Sequence, residues 1–434
     1  MSPDLFPHFQ PFVYLPNGRI AGYEMLARRR DDSGRVVSAG ALFGDPSIPV
    51  EERIALDRLV RLRGFETFVR EPQAGFLSVN ISPDWIDRLE SDASPTMRMI
   101  EATGIDPSRV VIEITETAGD AARLRRIVDR YHAFGLRVAI DDFGAGNSQI
   151  DRIVALEPDL IKLDMQLFKA ASLGGLSADV LLGMMSMAER AGCEIVCEGV
   201  ETIDEFMFGI ECGAKYMQGY LFAPALAEPI DATHFQPYVR VLLKEYFDRK
   251  RTRLEGSIDH SRAVKDVVLR LRAQLAERIV PAELPDDALR ALGIMRFFVC
   301  DTDGAQVSPN YEITEAGVSL DDRCIGFNWS WRPYFPTLAA MKRRADVELV
   351  ASNIYRDAST TKLCKTFGLF LDASRVLFVD VQVRDDVLYA ANTARDVAGN
   401  TSVAPPWSGP QHVHGGGSGR TQAVVHTHQG QHGG

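Results

Sequence analysis

At 434 residues the chain is too long for one ordinary domain, so two folded domains with connecting material are expected. Hydrophobic residues make up 46% and charged residues 25%, the balance of a globular protein that buries sizeable cores. A formal net charge of -11 excludes broad binding to a nucleic-acid polymer and requires local cations to draw in any small anionic substrate.

The six cysteines are scattered without a CxxC pair, which points to buried free thiols and away from zinc. The start, Met1-Ser-Pro-Asp-Leu-Phe-Pro-His8, lacks the basic and apolar regions of a signal peptide. No apolar run approaches the ~20 residues that span a bilayer, so a cytoplasmic protein with no membrane span is expected.

From residue 10 to 225 short apolar runs alternate with helical patterns. The runs include Phe76–Asn80, Val110–Glu113, Val138–Asp141, Leu160–Lys162 and Ile195–Glu198; helix-like stretches cover Ile54–Phe68, Asp120–Phe134 and Ala178–Ala191. This alternation indicates an α/β domain whose parallel sheet is covered on both faces, closed into a barrel. Residues 235–279 read as one helix, with Leu242, Leu243 and Phe247 on one apolar stripe and Val264, Val267, Leu271, Leu275 and Ile279 on another. Such a connector either packs on the barrel or pairs with its twin in a dimer. A smaller α+β domain follows. Val299–Gly304 reads as a strand entering an Asp303-Gly304 turn, and Val347–Ile354, Leu363–Leu371 and Val376–Val383 as further strands. The divisions are therefore 1–240, 241–285, 286–400, and a Gly- and His-rich tail, 401–434, expected to be disordered.

Run after run in the barrel ends in a carboxylate or amide: Glu24, Asn80, Glu113, Asp141 with Asp142, and Glu198. Lys162 and Gln218 occupy the same kind of place. In α/β barrels the C-terminal strand ends converge on the mouth that holds catalytic groups. Two carboxylates ~4 Å apart repel by about 4 kcal/mol at an effective dielectric of 20, so such a ring needs cations. Oxygen donors with one amide suit Mg²⁺ or Mn²⁺ better than zinc. Asp141-Asp142 could serve two ions, the usual device for in-line phosphodiester hydrolysis. The acids alone thus point to metal-dependent phosphoester cleavage.

Residues 8–235 resemble an EAL domain. The resemblance rests on Gln10-Pro11-Phe-Val, Tyr23-Glu-Met-Leu-Ala-Arg28, Ser78-Val-Asn80-Ile-Ser, Glu113-Ile-Thr-Glu116 and Ile140-Asp-Asp-Phe-Gly-Ala-Gly146. Ile161-Lys-Leu-Asp164, Cys197-Glu-Gly-Val-Glu-Thr202 and Gln218-Gly-Tyr-Leu-Phe222 complete it, in order. It implies a modified (β/α)8 TIM-type barrel whose first strand is antiparallel, and hydrolysis of cyclic di-GMP to pGpG with two Mg²⁺ or Mn²⁺ ions. By the same resemblance Glu24, Asn80, Glu113 and Asp141 would hold one ion. Asp141 and Asp142 would share the second, with Glu198 as ligand or base. Lys162 would contact the attacking water or the phosphate, Arg28 a phosphate, and Gln218 the site or the dinucleotide. Glu116 would anchor the loop after Asp142, and Asp164 and Glu201 would make structural pairs. A homodimer is also implied.

That loop departs from the family pattern: Ala145 stands for a threonine, Asn147 for an aromatic residue, and Gln149 follows Ser148. The departures leave open a receptor that binds cyclic di-GMP without turnover, and the acids alone also permit a phosphoesterase with another substrate. No Gly-Gly-Asp-Glu-Phe signature occurs in the sequence, so no cyclase half is expected. Gly326-Phe-Asn-Trp-Ser-Trp-Arg-Pro-Tyr-Phe335, with Asp301–Gly304 and Ser352–Tyr355, resembles a Cache or PAS-like sensory domain. There Trp331, Arg332, Tyr334 and Tyr355 either line a small-molecule pocket or form an aromatic core with Arg332 in a salt bridge. The five tail histidines are expected to be chemically inert.

Overall fold

Two long strands open the fold, β1 (Leu5–Tyr14) and β2 (Arg19–Arg30), paired antiparallel along their whole length. The short β3 (Val36–Ser38) extends the outer side of β2. In this computed structural model residues 4–81, 95–115, 121–145, 149–276, 286–341 and 349–383 are described. β4 (Phe76–Ile81), β5 (Val110–Thr115), β6 (Arg137–Phe143), β7 (Leu160–Leu163), β8 (Glu194–Cys197) and β9 (Tyr216–Met217) follow as parallel neighbours of β2, in chain order. β9 then pairs antiparallel with β1 and closes the ring. The result is an eight-strand α/β barrel with one reversed strand.

The strand period of two builds this barrel in layers. Outward residues such as Ile112, Val138, Ile140, Ile161 and Ile195 join the main core with the surrounding helices. Inward residues one step away, Phe12, Phe76, Val111, Ala139, Leu160, Val196 and Tyr216, fill the barrel floor. A Cβ at the inward position Gly22 would lie 2.4 Å from the Phe76 carbonyl oxygen, so β2 can pass this floor only as glycine. Two residues further along the parallel strands the inward positions become Glu24, Ser78, Glu113, Asp141, Lys162, Glu198 and Gln218. Their strand origin thus puts them on one apolar base.

The helix Gln236–Ala276 leaves the barrel and runs for 41 residues, about 60 Å at 1.5 Å per residue. Tyr238, Val239 and Leu242 belong to the barrel core. Val264, Val267, Val268 and Leu271 belong to a second core. The first stripe packs on the barrel, one of the two alternatives expected for the connector, and the second is covered by the smaller domain, so that one uninterrupted helix is packed at both ends. Lys250 on this helix bonds Glu211 Oε1 at 2.7 Å, which fastens it to the barrel helix Ile203–Glu211.

The smaller domain is an antiparallel sheet of β10 (Ile294–Asp301), β11 (Asn310–Thr314), β12 (Gly317–Asp321), β13 (Val350–Ala351), β14 (Tyr355–Arg356), β15 (Leu363–Phe370) and β16 (Arg375–Gln382). One face, with Phe297, Val299, Leu377 and Val379, packs on the long helix. The other, with Phe298, Cys300, Val376 and Phe378, packs on helix Tyr334–Met341. The β11–β12 hairpin was not among the expected strands, and of the one expected over 347–354 only Val350–Ala351 is strand among the described residues. Asp303-Gly304 does form the expected turn, with Asp301 accepting from the amides of Asp303 and Ala305 at 2.9 Å each. The domains also touch where Arg356 Nη2 meets Asp179 Oδ2 at 2.7 Å on the barrel helix Leu176–Arg190. The tail, 401–434, lies outside the described residues.

Gly256 sits exposed in the middle of the long helix, and a Cβ added there would meet nothing within 4 Å. Gly256→Ala should therefore stabilise the protein by about 0.5–1 kcal/mol, read as a higher urea midpoint by circular dichroism.

Candidate active site

At the mouth of the barrel a single ammonium group is surrounded by acids. Lys162 Nζ stands 2.6 Å from Glu198 Oε1, 2.8 Å from Glu113 Oε2, 2.9 Å from Asp141 Oδ1 and 3.6 Å from Glu24 Oε1. Lys162 is 2% exposed, so this charge has exchanged water for carboxylates. Asn80 Nδ2 donates to Glu24 Oε1 at 3.1 Å, and Gln218 Nε2 to Glu24 Oε2 at 2.8 Å and to Gln10 Oε1 at 3.0 Å. Ser78 Oγ donates to Glu113 Oε1 at 2.6 Å. Gln10 and Ser78 are members of this network that the motif reading quoted without giving them a role.

Asp142 reaches the same mouth by an irregularity. Neighbours on a strand face opposite ways, yet the register of β6 against β7 shifts between Ile140 and Phe143, and Asp142 adopts φ 53°. Aspartate tolerates this left-handed conformation better than most residues. Oxygens of Asp141, Asp142 and Glu198 consequently lie within 4.8 Å of one another.

Burial raises the pKa of Glu113 well above the ordinary carboxylate value; Lys162 opposes this, while Glu24, Asp141 and Glu198 add to it. Glu198 is pushed up to about 8, by burial first, against the pull of Lys162. Burial and the adjacent Asp141 raise Asp142 as well. For Lys162 burial acts downward, but Asp141, Glu113, Glu198 and Glu24 together hold it well above its usual value.

One ammonium is too little for five carboxylates. Glu113 Oε2, Asp141 Oδ1 and Glu198 Oε1 are buried within ion-pair distance of Lys162, the one cation they share among the described residues. Holding several carboxylates out of water around one ammonium costs several kcal/mol per ion. The donor set is oxygen-only, which fits a hard divalent cation.

Beside Asn80 a cavity of about 310 Å³ opens, lined by Met25, Leu26, Phe43, Ile54 and Val60 together with Arg28 and Asp57. Asn80, which lines this cavity and donates to Glu24, joins it to the acidic mouth. Asp164 caps helix Met165–Ser172 by accepting from the Leu167 amide at 2.8 Å, and Glu201 pairs with Lys169 at 2.9 Å. Glu116 and, in the altered loop, Gly146, Asn147 and Ser148 lie outside the described residues.

The model of the EAL domain family matches residues 2–225, more than half of the chain. The chain belongs to the EAL domain family. A second model, the EAL-domain associated signalling protein domain, matches residues 243–393. YkuI, an uncharacterized EAL-domain protein of Bacillus subtilis, is 26% identical over 388 residues, covering 87% of this chain and 94% of its own. The crystal structure of YkuI in complex with cyclic di-GMP and calcium superposes with a TM-score of 0.74 at 25% identity, covering 87% of this chain and 94% of that one. The cyclic di-GMP phosphodiesterase RocR of Pseudomonas aeruginosa is 31% identical over 241 residues, 53% of this chain and 59% of RocR. The probable phosphodiesterase PdeB of Escherichia coli is 28% identical over 233 residues, 51% of this chain and 43% of PdeB. The chain thus spans about half the length of these two relatives.

Ligating carboxyl groups must give up their protons. Burial holds the Glu198 carboxyl well above its ordinary value, at about 8, so it gives up its proton less readily than a free glutamate. Mn²⁺ affinity should accordingly rise with pH up to about 8, with protons released on binding. Calorimetric titration in two buffers of different ionisation enthalpy checks this; equal heats at neutral pH would count against it.

Proposed function

We propose that this chain hydrolyses cyclic di-GMP to linear pGpG at the barrel mouth, using two divalent ions, Mg²⁺ or Mn²⁺. The observation that carries the reading is the set of Asp141, Asp142 and Glu198 oxygens within 4.8 Å of one another, beside Lys162, in an EAL-family barrel. RocR is named for this activity, and YkuI was crystallised with cyclic di-GMP and a divalent ion, which supports the substrate.

In this reading Glu24, Asn80, Glu113 and Asp141 hold one ion, and Asp141 with Asp142 holds the other, with Glu198 beside them as ligand or base. Bound there, divalent ions supply Lewis-acid polarisation of the phosphate and a water activated at neutral pH. The chain's own groups do the rest. Arg28 fixes a phosphate from the adjoining cavity. Attack of water on phosphorus breaks the P–O3′ bond, leaving the phosphate on the 5′ end and a hydroxyl on the released 3′ oxygen. Lys162 stabilises negative charge as it develops on the phosphoryl oxygens. Gln218 orients Glu24 through its 2.8 Å bond.

The remaining divisions are proposals of the same kind: a barrel over 1–240, a connector over 241–285, a Cache/PAS-like sensory domain over 286–400 and a tail from 401. Arg332 in the sensory domain lies 4.6 Å from the Trp331 ring and 5.2 Å from that of Tyr355, a cationic and aromatic surface suited to a small ligand. Tyr334 does not share that surface; it is buried against Phe378. Ligand binding there would regulate the barrel through the shared helix and the Arg356–Asp179 pair. Phe247, Leu254 and Ile258, all more than half exposed along the middle of that helix, favour a homodimer. No helix among the described residues is long and apolar enough to cross a membrane, in keeping with a cytoplasmic protein.

Incubation of the purified chain with cyclic di-GMP and Mn²⁺ should yield pGpG on chromatography and stop with chelator. Glu24→Ala should lower the rate by about 100-fold or more. Binding of cyclic di-GMP without product would overturn the hydrolytic reading, and unchanged turnover in Glu24→Ala would overturn the ligand assignment.

A further inference from the structure

Ser78 lies on the inward face of β4, one inward step below Asn80, and is 1% exposed. Its hydroxyl has one proton to give, and gives it to Glu113 Oε1 at 2.6 Å. Glu113 is 0% exposed, and no other hydrogen bond to its carboxylate is present among the described residues. Its second oxygen, Oε2, faces Lys162 at 2.8 Å without an aligned hydrogen bond. The last torsion of a glutamate is broad and weakly preferred, so a carboxylate turns unless a neighbour fixes its plane. Here one oxygen is fixed and the other is left for the mouth of the barrel.

We infer that Ser78 is a positioning residue: it holds Glu113 so that Oε2, rather than the edge of the carboxylate, is presented to a divalent ion. The inference rests on the metal-dependent reading of the site. The backbone makes the arrangement reproducible, because Ser78 and Glu113 sit on adjacent parallel strands whose register pairs Ser78 with Val111 and Asn80 with Glu113. The serine therefore reaches the carboxylate from one step beneath, at the boundary between the apolar floor and the acidic layer. Supporting groups of this kind are worth about 10–100-fold in metal affinity.

The test is Mn²⁺ binding in the absence of nucleotide, followed by electron paramagnetic resonance, for the full chain, Ser78→Ala and Ser78→Thr. Ser78→Ala should bind Mn²⁺ about tenfold or more weakly while its unfolding temperature in chelator stays near that of the parent. Ser78→Thr, which keeps the hydroxyl, should retain the parent affinity. Equal affinity in a folded Ser78→Ala overturns the inference, and so does equal weakening in both variants, since the hydroxyl would then not be the cause. Should Ser78→Ala fail to fold, Ser78→Cys, similar in shape with a much weaker donor, is read by the same two outcomes. A parent chain that binds no Mn²⁺ refutes the metal-dependent reading itself, whereas a parent that binds and a Ser78→Ala that binds equally well refute only the part given to the serine.

Discussion

The arrangement on which the rest depends is a single buried ammonium, Lys162, set among four carboxylates within 3.6 Å, with Asp142 close by. Removing these charges from water costs several kcal/mol per ion, and one cation cannot neutralise five acids. The barrel tolerates the cluster because the strands beneath it interlock through an apolar floor, from Phe12 and Phe76 round to Tyr216. Strand period converts that floor into the acidic layer in a single inward step. The cost is thus concentrated at one end of a well-packed scaffold, where cations and phosphate can reach it.

How much of this the amino-acid sequence discloses depends on the signal each residue leaves. The parallel strands of the barrel read clearly, since their apolar runs are buried on both faces and end in acids. Glu24, Glu113, Asp141 and Glu198 could be grouped on that ground alone, and the structure brings them around Lys162. Gln10 escapes the same rule because β1 runs the other way: its inward polar residue precedes the apolar Phe12 instead of following it. Ser78 escapes because a serine within a strand is commonplace, and only its 2.6 Å bond to Glu113 distinguishes it. That Asp141 and Asp142 share one mouth is expected from the pair itself; the register shift that brings it about is announced by no local pattern.

Outside the barrel the signal is weaker for physical reasons. The strands β15 and β16 are apolar and alternate, so they can be read; β11 and β12 are mostly half-exposed, and their polar residues hide the period. The apolar stripes of the long helix were legible as well. Their partners can be narrowed only to the barrel or a twin helix, because periodicity states that a face is buried and leaves open what buries it. The structure gives the two ends of one helix to two cores, so a shift of the helix in one domain strains packing in the other. Arg356 and Asp179 form a second tie between the same two bodies, exposed enough that alone it would contribute little. The helix is the stiffer link, and any signal from the smaller domain has to be carried by it.

The account is tested most directly by anomalous diffraction at the manganese edge from crystals grown with Mn²⁺. It requires anomalous peaks against the carboxylates of Asp141, Asp142 and Glu198 and against Glu113, with the Lys162 ammonium withdrawn from at least one of the oxygens it now faces. A map without a peak at the barrel mouth, with Lys162 still seated among the acids, would contradict it.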